Sequence, residues 1–193
     1  AGSLVSTAGD SAALVALLLE LRTSGVGWIS AALGAELLPF VLFASFSGRL
    51  VDRVDNRRLL VVALAGQALV AVPLAVARTP WLVIALFFAL NAVSTLVRPA
   101  ANAMVPVLSG EDEATSGYAW VATGGGIGWI VGPAAGGLLT AAFGVTTTLG
   151  VDAATFVVMA AACRLLSTTR SSAKAAETGQ PKHGGMRIIW QDN

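Results

Sequence analysis

The sequence predicts an all-α membrane protein with six transmembrane helices, and three observations carry that expectation. Hydrophobic residues make up 55% of the 193-residue chain and charged residues 12%, with a mean hydropathy of +0.76. That is about half the charge of an ordinary soluble domain, too little for a polar surface. The apolar residues come in runs long enough to cross a bilayer, which takes about 20 residues. Between two of these runs stands a knot of charge, Gly48-Arg49-Leu50-Val51-Asp52-Arg53-Val54-Asp55-Asn56-Arg57-Arg58, with four arginines and two aspartates. Loops rich in Lys and Arg stay on the cytoplasmic side, so the knot predicts a short cytoplasmic hairpin.

The elements follow in order, with breaks supplied by charge, Gly and Pro. The first span is expected from about Ser3 to Leu21, closed by Arg22-Thr23-Ser24-Gly25. No basic region or cleavage site precedes it, so it is not a signal peptide; the chain is apolar almost from Ala1, and the upstream end of this helix is expected to be missing. The second span is Val26 to Ser47 and the third Leu59 to Ala77, with Arg78-Thr79-Pro80 closing the third. The fourth runs from Trp81 to about Val97, followed by a polar loop whose low point is Glu111-Asp112-Glu113. The uncharged stretch from Ala114 to Gly150 is too long for one span. It divides at Phe143-Gly144-Val145-Thr146 into a fifth span from about Tyr118 to Ala142 and a sixth from Thr147 to Leu166. Residues 1–166 therefore form a six-span unit and residues 167–193 a solvated tail of Ser, Thr, Lys, Gly and Gln.

Loop charge orients the bundle. The second–third loop and the tail hold Arg49, Arg53, Arg57, Arg58, Arg170, Lys174, Lys182 and Arg187, with Arg164 at the end of the sixth span. The first–second and third–fourth loops hold only Arg22 and Arg78. Even-numbered loops inside satisfies the positive-inside rule, and both termini are expected in the cytoplasm of a multi-pass protein of the cell (inner) membrane. Trp28 and Trp81 fall at outer helix ends and Trp120 at an inner one, as interfacial anchors do.

Composition also excludes function classes. With a net charge of +1 there is no basic face for nucleic acid. The lone Cys163 allows no disulfide framework and the lone His183 no clustered metal site; no cofactor is expected. No His cluster, Ser/Lys or Asp/Asp pair stands at useful spacing for an intramembrane enzyme. The fifth span carries Gly124, Gly128, Gly132 and Gly136 at four-residue spacing, with Pro133 and Gly137 alongside. Residues four apart share a helix face, so these make a smooth groove for close helix–helix contact, bent at Pro133. No Gly-Lys-Ser/Thr follows and no strand precedes, so this is not a nucleotide loop.

Two motifs together resemble a family. Gly48-x-Leu50-Val51-Asp52-Arg53-x-x-x-Arg57-Arg58 is similar to motif A of the major facilitator superfamily, and Gly128-x-x-x-Gly132-Pro133-x-x-Gly136-Gly137 to its antiporter motif C. Ser6-Thr7-Ala8-Gly9-Asp10 in the first span and Arg98-Pro99-Ala100 after the fourth resemble the drug:proton antiporter branch that includes macrolide-efflux-like proteins. Gly184-Gly185-Met186-Arg187-Ile188-Ile189-Trp190 resembles the start of the linker between two six-span halves. There are departures: Asp55 stands where motif A has glycine, Asn56 where it has a basic residue, and Ala101-Asn102 replaces the Gln-Gly of motif B, leaving Arg98 as its relic. The resemblance implies the N-terminal half of a twelve-span transporter, completed by a missing C-terminal six-span half. It implies alternating-access, proton-coupled efflux of a small amphipathic molecule, with protons and membrane lipids as further partners.

Each candidate residue has a plainer alternative. The resemblance implies that Asp52 bonds a helix N-terminus in the opposite half, where the dipole favours a carboxylate; the alternative is a solvated loop charge. Arg53, Arg57 and Arg58 gate by the same analogy, or serve only topology and anionic lipid. Asp10 and Glu36 lie inside apolar spans, where a carboxylate costs about 2.5–3.5 kcal/mol on insertion scales, which makes them the proton-coupling candidates. The alternatives are a backbone hydrogen bond for Asp10 and a substrate-cavity role for Glu36. Asp152 reads as an interfacial or packing residue near the outer end of the sixth span, Asn91 as an interhelical hydrogen bond, and Glu20 as solvated. Export of one specific metabolite, siderophore or lysolipid is the second transport reading, and a non-transporting scaffold or sensor the reading from another class.

Overall fold

A computed structural model describes residues 2–109 and 114–165. The acidic stretch 111–113, Leu166 and the whole tail with its linker resemblance lie outside the described residues. Six helices follow one another: α1 (Gly2–Leu21), α2 (Val26–Val51), α3 (Asn56–Val76), α4 (Pro80–Ser109), α5 (Ala114–Phe143) and α6 (Val145–Leu165). All six are long and apolar enough to cross a membrane.

The turns are as short as the charge pattern demands. Gly144 alone separates α5 from α6 and has φ +83°, a left-handed conformation that glycine adopts at no steric cost. Between α2 and α3 only Asp52 to Asp55 lie outside helix, so most of the charged knot is helical and the expected loop is smaller than its charge suggests. α2 runs on through Gly48 and Leu50, and its end is closed by the Asp52 N–H donating to Gly48 O at 3.2 Å. Asp55, the departure from motif A, starts α3: its carboxylate accepts the Arg58 N–H at 2.9 Å as an N-cap. Asp55→Ala should cost about 1 kcal/mol and Asp55→Gly only a few tenths. Melting of the full-length protein in detergent is expected to rank wild type and Gly above Ala; equal melting of all three would mean the cap contributes nothing.

α4 corrects the sequence expectation. It does not stop near Val97 but continues through Arg98, Pro99 and Pro106 to Ser109, so Arg98 lies within the helix rather than after it. In hydrocarbon, a backbone that leaves the helix strands several polar groups, whereas a proline removes one donor. α5 likewise runs unbroken through Pro133.

The main packing follows the order α5–α1–α6–α3–α4–α2, and lighter contacts join α1 to α2 and α4 to α5 across the bundle. α3 is the most buried helix and α2 and α5 among the least. The core is built from small residues with a few large ones, Leu17, Leu64, Leu74 and Phe156 among them. This is the economy of a bilayer, where close backbone approach holds helices that gain nothing from leaving water. Gln67 Nε2 donates to Ser94 Oγ at 2.6 Å and ties α3 to α4. Asn91, expected to do this work, instead donates to Phe87 O of its own helix at 2.9 Å. A helical Asn reaches the carbonyl one turn back more easily than a neighbouring helix.

Two long-range contacts fix which ends lie together. Arg78 Nη2 donates to Thr146 Oγ1 at 2.6 Å, joining the α3–α4 turn to the start of α6. Arg57 Nε donates to Cys163 O at 3.1 Å and its Nη2 to Arg164 O, joining the start of α3 to the end of α6. Arg53, Arg57, Arg58 and Arg164 thus share one end of the bundle.

Candidate functional site

The charged hairpin divides its labour. Arg57 is engaged within this chain, bound to the last carbonyls of α6, where the negative end of the helix dipole attracts a cation. Asp52, Arg53 and Arg58 remain exposed, and no described residue bonds the Asp52 carboxylate. Gly48 opens on empty space and Leu50 is half-buried. Asp52 is therefore free for something beyond this chain's own described residues.

The glycines of α5 make a seam against α1. Gly128, Gly132 and Gly136 are buried, and each faces the α1 backbone. A Cβ on Gly128 would stand 2.8 Å from Leu4 O, and one on Gly132 2.7 Å from Ala8 O and from Ser11 Cβ. On Gly136 it would collide with Ala12 Cα and stand 2.7 Å from Ala12 O. The four-residue rhythm of α5 meets the four-residue rhythm of Leu4, Ala8 and Ala12, so the backbones pack directly, the arrangement of small-residue transmembrane contacts. Gly124 is half-buried, Pro133 is half-buried beside the seam, and Gly137 points to open space.

Charges from two other helices act on the acid of α1. Asp10 is about 11 residues from the end of α1 and Glu36 about 10 from the start of α2, hence roughly 15 Å deep each at 1.5 Å per residue. That is about half of a 30 Å hydrocarbon core. Asp10 is exposed and Glu36 half-buried. Arg98, exposed on α4, and Glu36 are both close enough for their charges to act on Asp10.

Asp152 is the residue that sequence reasoning undervalued. Read as an interfacial or packing residue, it is 2% exposed, in the contact between α6 and α1. Its carboxylate fills the space left by Gly9, where a Cβ would collide with Asp152 Oδ1. That oxygen has no hydrogen-bond partner among the described residues, and the charge that acts on it is Asp10. The available signal was a glycine beside the acid of α1 and a lone acid in a sixth span whose other charge, Arg164, stands at its very end. Only the packing of α1 on α6 brings them together.

Among the described residues no group of His, Cys, Asp and Glu stands where it could hold a metal ion.

Comparison with known proteins fits this geometry. Macrolide efflux protein A of Streptococcus pyogenes is 28% identical over 155 residues, covering 78% of this chain and 38% of that protein. The multidrug efflux pump Tap of Mycobacterium bovis is 29% identical over 214 aligned positions, covering 97% of this chain and 49% of that protein. The chain thus spans less than half the length of these relatives. The profile of the Major Facilitator Superfamily matches residues 1–192. Six spans, an arginine-rich α2–α3 hairpin and a glycine seam between α5 and α1 therefore have one family context: this chain belongs to the Major Facilitator Superfamily.

Proposed function

We propose that the chain is the N-terminal half of a proton-driven exporter of small amphipathic molecules, working by alternating access. One observation carries the reading. Asp10 and Glu36 stand near mid-depth of α1 and α2, two helices that touch, and the charges of Glu36 and Arg98 act on Asp10. A scaffold has no use for charge there, since each such group costs a few kcal/mol in the membrane. A carboxyl that takes a proton on one side and releases it on the other has a use for it.

Other features support the proposal. The apolar faces of α2 and α5, with Leu37, Val41, Ile130 and Leu138 exposed, suit the covering of a second six-span half. The relatives are named for efflux of macrolides and of multiple drugs. The positive-inside rule assigns the arginine-rich end to the cytoplasm, which supports a cell-membrane protein with both termini inside.

The test is energy coupling. The full-length protein is reconstituted in liposomes with a radiolabelled macrolide, a substrate class taken from the Streptococcus relative, under a pH gradient without a drug gradient. Wild type should accumulate the drug. Neutralising the coupling residue, by Asp10→Asn or Glu36→Gln, should abolish accumulation yet preserve downhill exchange. If both variants still drive uphill transport, the proton is carried by neither, and Asp152→Asn becomes the next variant. If wild type moves the drug only downhill, proton coupling is wrong.

A further inference from the structure

The outer surface between α3 and α6 carries two apolar grooves that meet at Val72 and Val157. One, of about 390 Å³, runs toward Val76 and Thr146. The other, of about 480 Å³, runs the opposite way and ends on Arg164. Small side chains, Ala65 and Ala161 among them, hollow this second groove, and Leu69 and Val157 form exposed walls. From Val61 to Val72 it covers roughly 16 Å along α3. That is about half of a 30 Å hydrocarbon core, the depth of one leaflet.

Its polar end is basic. Arg164 stands in the wall, Arg57 is held against it through the Cys163 and Arg164 carbonyls, and Arg58 follows on the first turn of α3. No acid lines either groove, and the carboxylate of Asp55 is engaged by the Arg58 N–H. A slot of one-leaflet length, apolar along its run and cationic at its mouth, has the chemistry of a phospholipid with a net negative headgroup. A zwitterionic headgroup would leave the arginines uncompensated. We propose that an anionic phospholipid occupies this α3–α6 groove, its acyl chain along Ala65 and Ala161 and its phosphate on Arg164. The site rests on the membrane-spanning fold and not on the transport reading.

The full-length protein in vesicles of equal phosphatidylcholine and phosphatidylglycerol would be extracted gently and its retained lipid counted by native mass spectrometry. Wild type should retain phosphatidylglycerol in preference. Arg164→Gln should reduce that preference about fivefold, the equivalent of about 1 kcal/mol per basic residue at an anionic surface. Ala65→Phe, on an exposed face, fills the slot without touching the arginines and should act as strongly. Arg49→Gln, a basic residue outside the groove, should change nothing. Equal retention of both lipids by wild type would overturn the proposal. So would an Arg49 effect equal to that of Arg164, which means general surface charge, or an Ala65→Phe protein that binds like wild type. A doubled mass that vanishes in Ala65→Phe would give the groove to a second copy of the chain and overturn it too. None of these readouts needs a transported substrate, so the result stands apart from the coupling test.

Discussion

Gly132→Leu in the full-length protein should remove most of the folded transporter, whereas Gly137→Leu five residues along the same helix should leave it near wild type. The two glycines are equally apolar and both lie in the stretch that resembles motif C. They differ in what a side chain would meet. At Gly132 the first carbon already stands 2.7 Å from the Ala8 carbonyl, and the obstacle is α1 backbone, which has no rotamer to escape into. Overpacking a core usually costs about 1–3 kcal/mol when side chains can yield; a leucine that forces two backbones apart should exceed that. At Gly137 nothing lies within 4 Å in this half. The measurement is the monodisperse fraction in detergent after mild heating, together with abundance in the membrane. Equal behaviour of the two variants would mean that the α1–α5 seam is not tight in the membrane. A Gly137→Leu protein that is abundant but inactive would point instead to contact with the proposed second half.

Asp52→Asn should cut efflux at least tenfold while leaving insertion and abundance nearly normal. The change removes a charge and keeps the shape, and the carboxylate is exposed and bonds no described residue of this chain. Folding of the six helices therefore has little to lose. What the carboxylate loses is its attraction to a positive helix N-terminus across the interface, the role that its motif implies. Arg57→Gln supplies the contrast within the same hairpin. Arg57 holds the last carbonyls of α6, so its loss should lower thermal stability, by about 1 kcal/mol for the net worth of such a bond, and lower abundance with it. Full efflux by Asp52→Asn would leave the motif without a gating role. A joint loss of abundance in both variants would give Asp52 a structural role instead.

The sequence by itself determined the six spans, the turns and the tight face of α5. Span lengths follow from bilayer thickness, turns from charge and from glycines such as Gly144, and the seam from a period of four. These are local rules, written along one helix at a time. The ends of α2 and α4 escaped them, because charge was taken as the end of a span while the helix continued through Gly48-Arg49 and Arg98-Pro99. Backbone hydrogen bonding outweighs side-chain polarity near a membrane surface, where long side chains can reach water. What only the tertiary structure decided is which helices meet, and that decided the chemistry. Asp10 and Glu36 stand out as acids in apolar runs, but that Arg98 acts on Asp10, and Asp10 on Asp152, depends on the packing of α1 against α6 and α2. Asp152 illustrates the difference most sharply. On α6 alone it is one acid about two turns from a helix end; opposite Gly9 it is a buried carboxylate with an unpaired oxygen. Helix formation is set by near neighbours in the chain, whereas burial and electrostatics are set by neighbours in space.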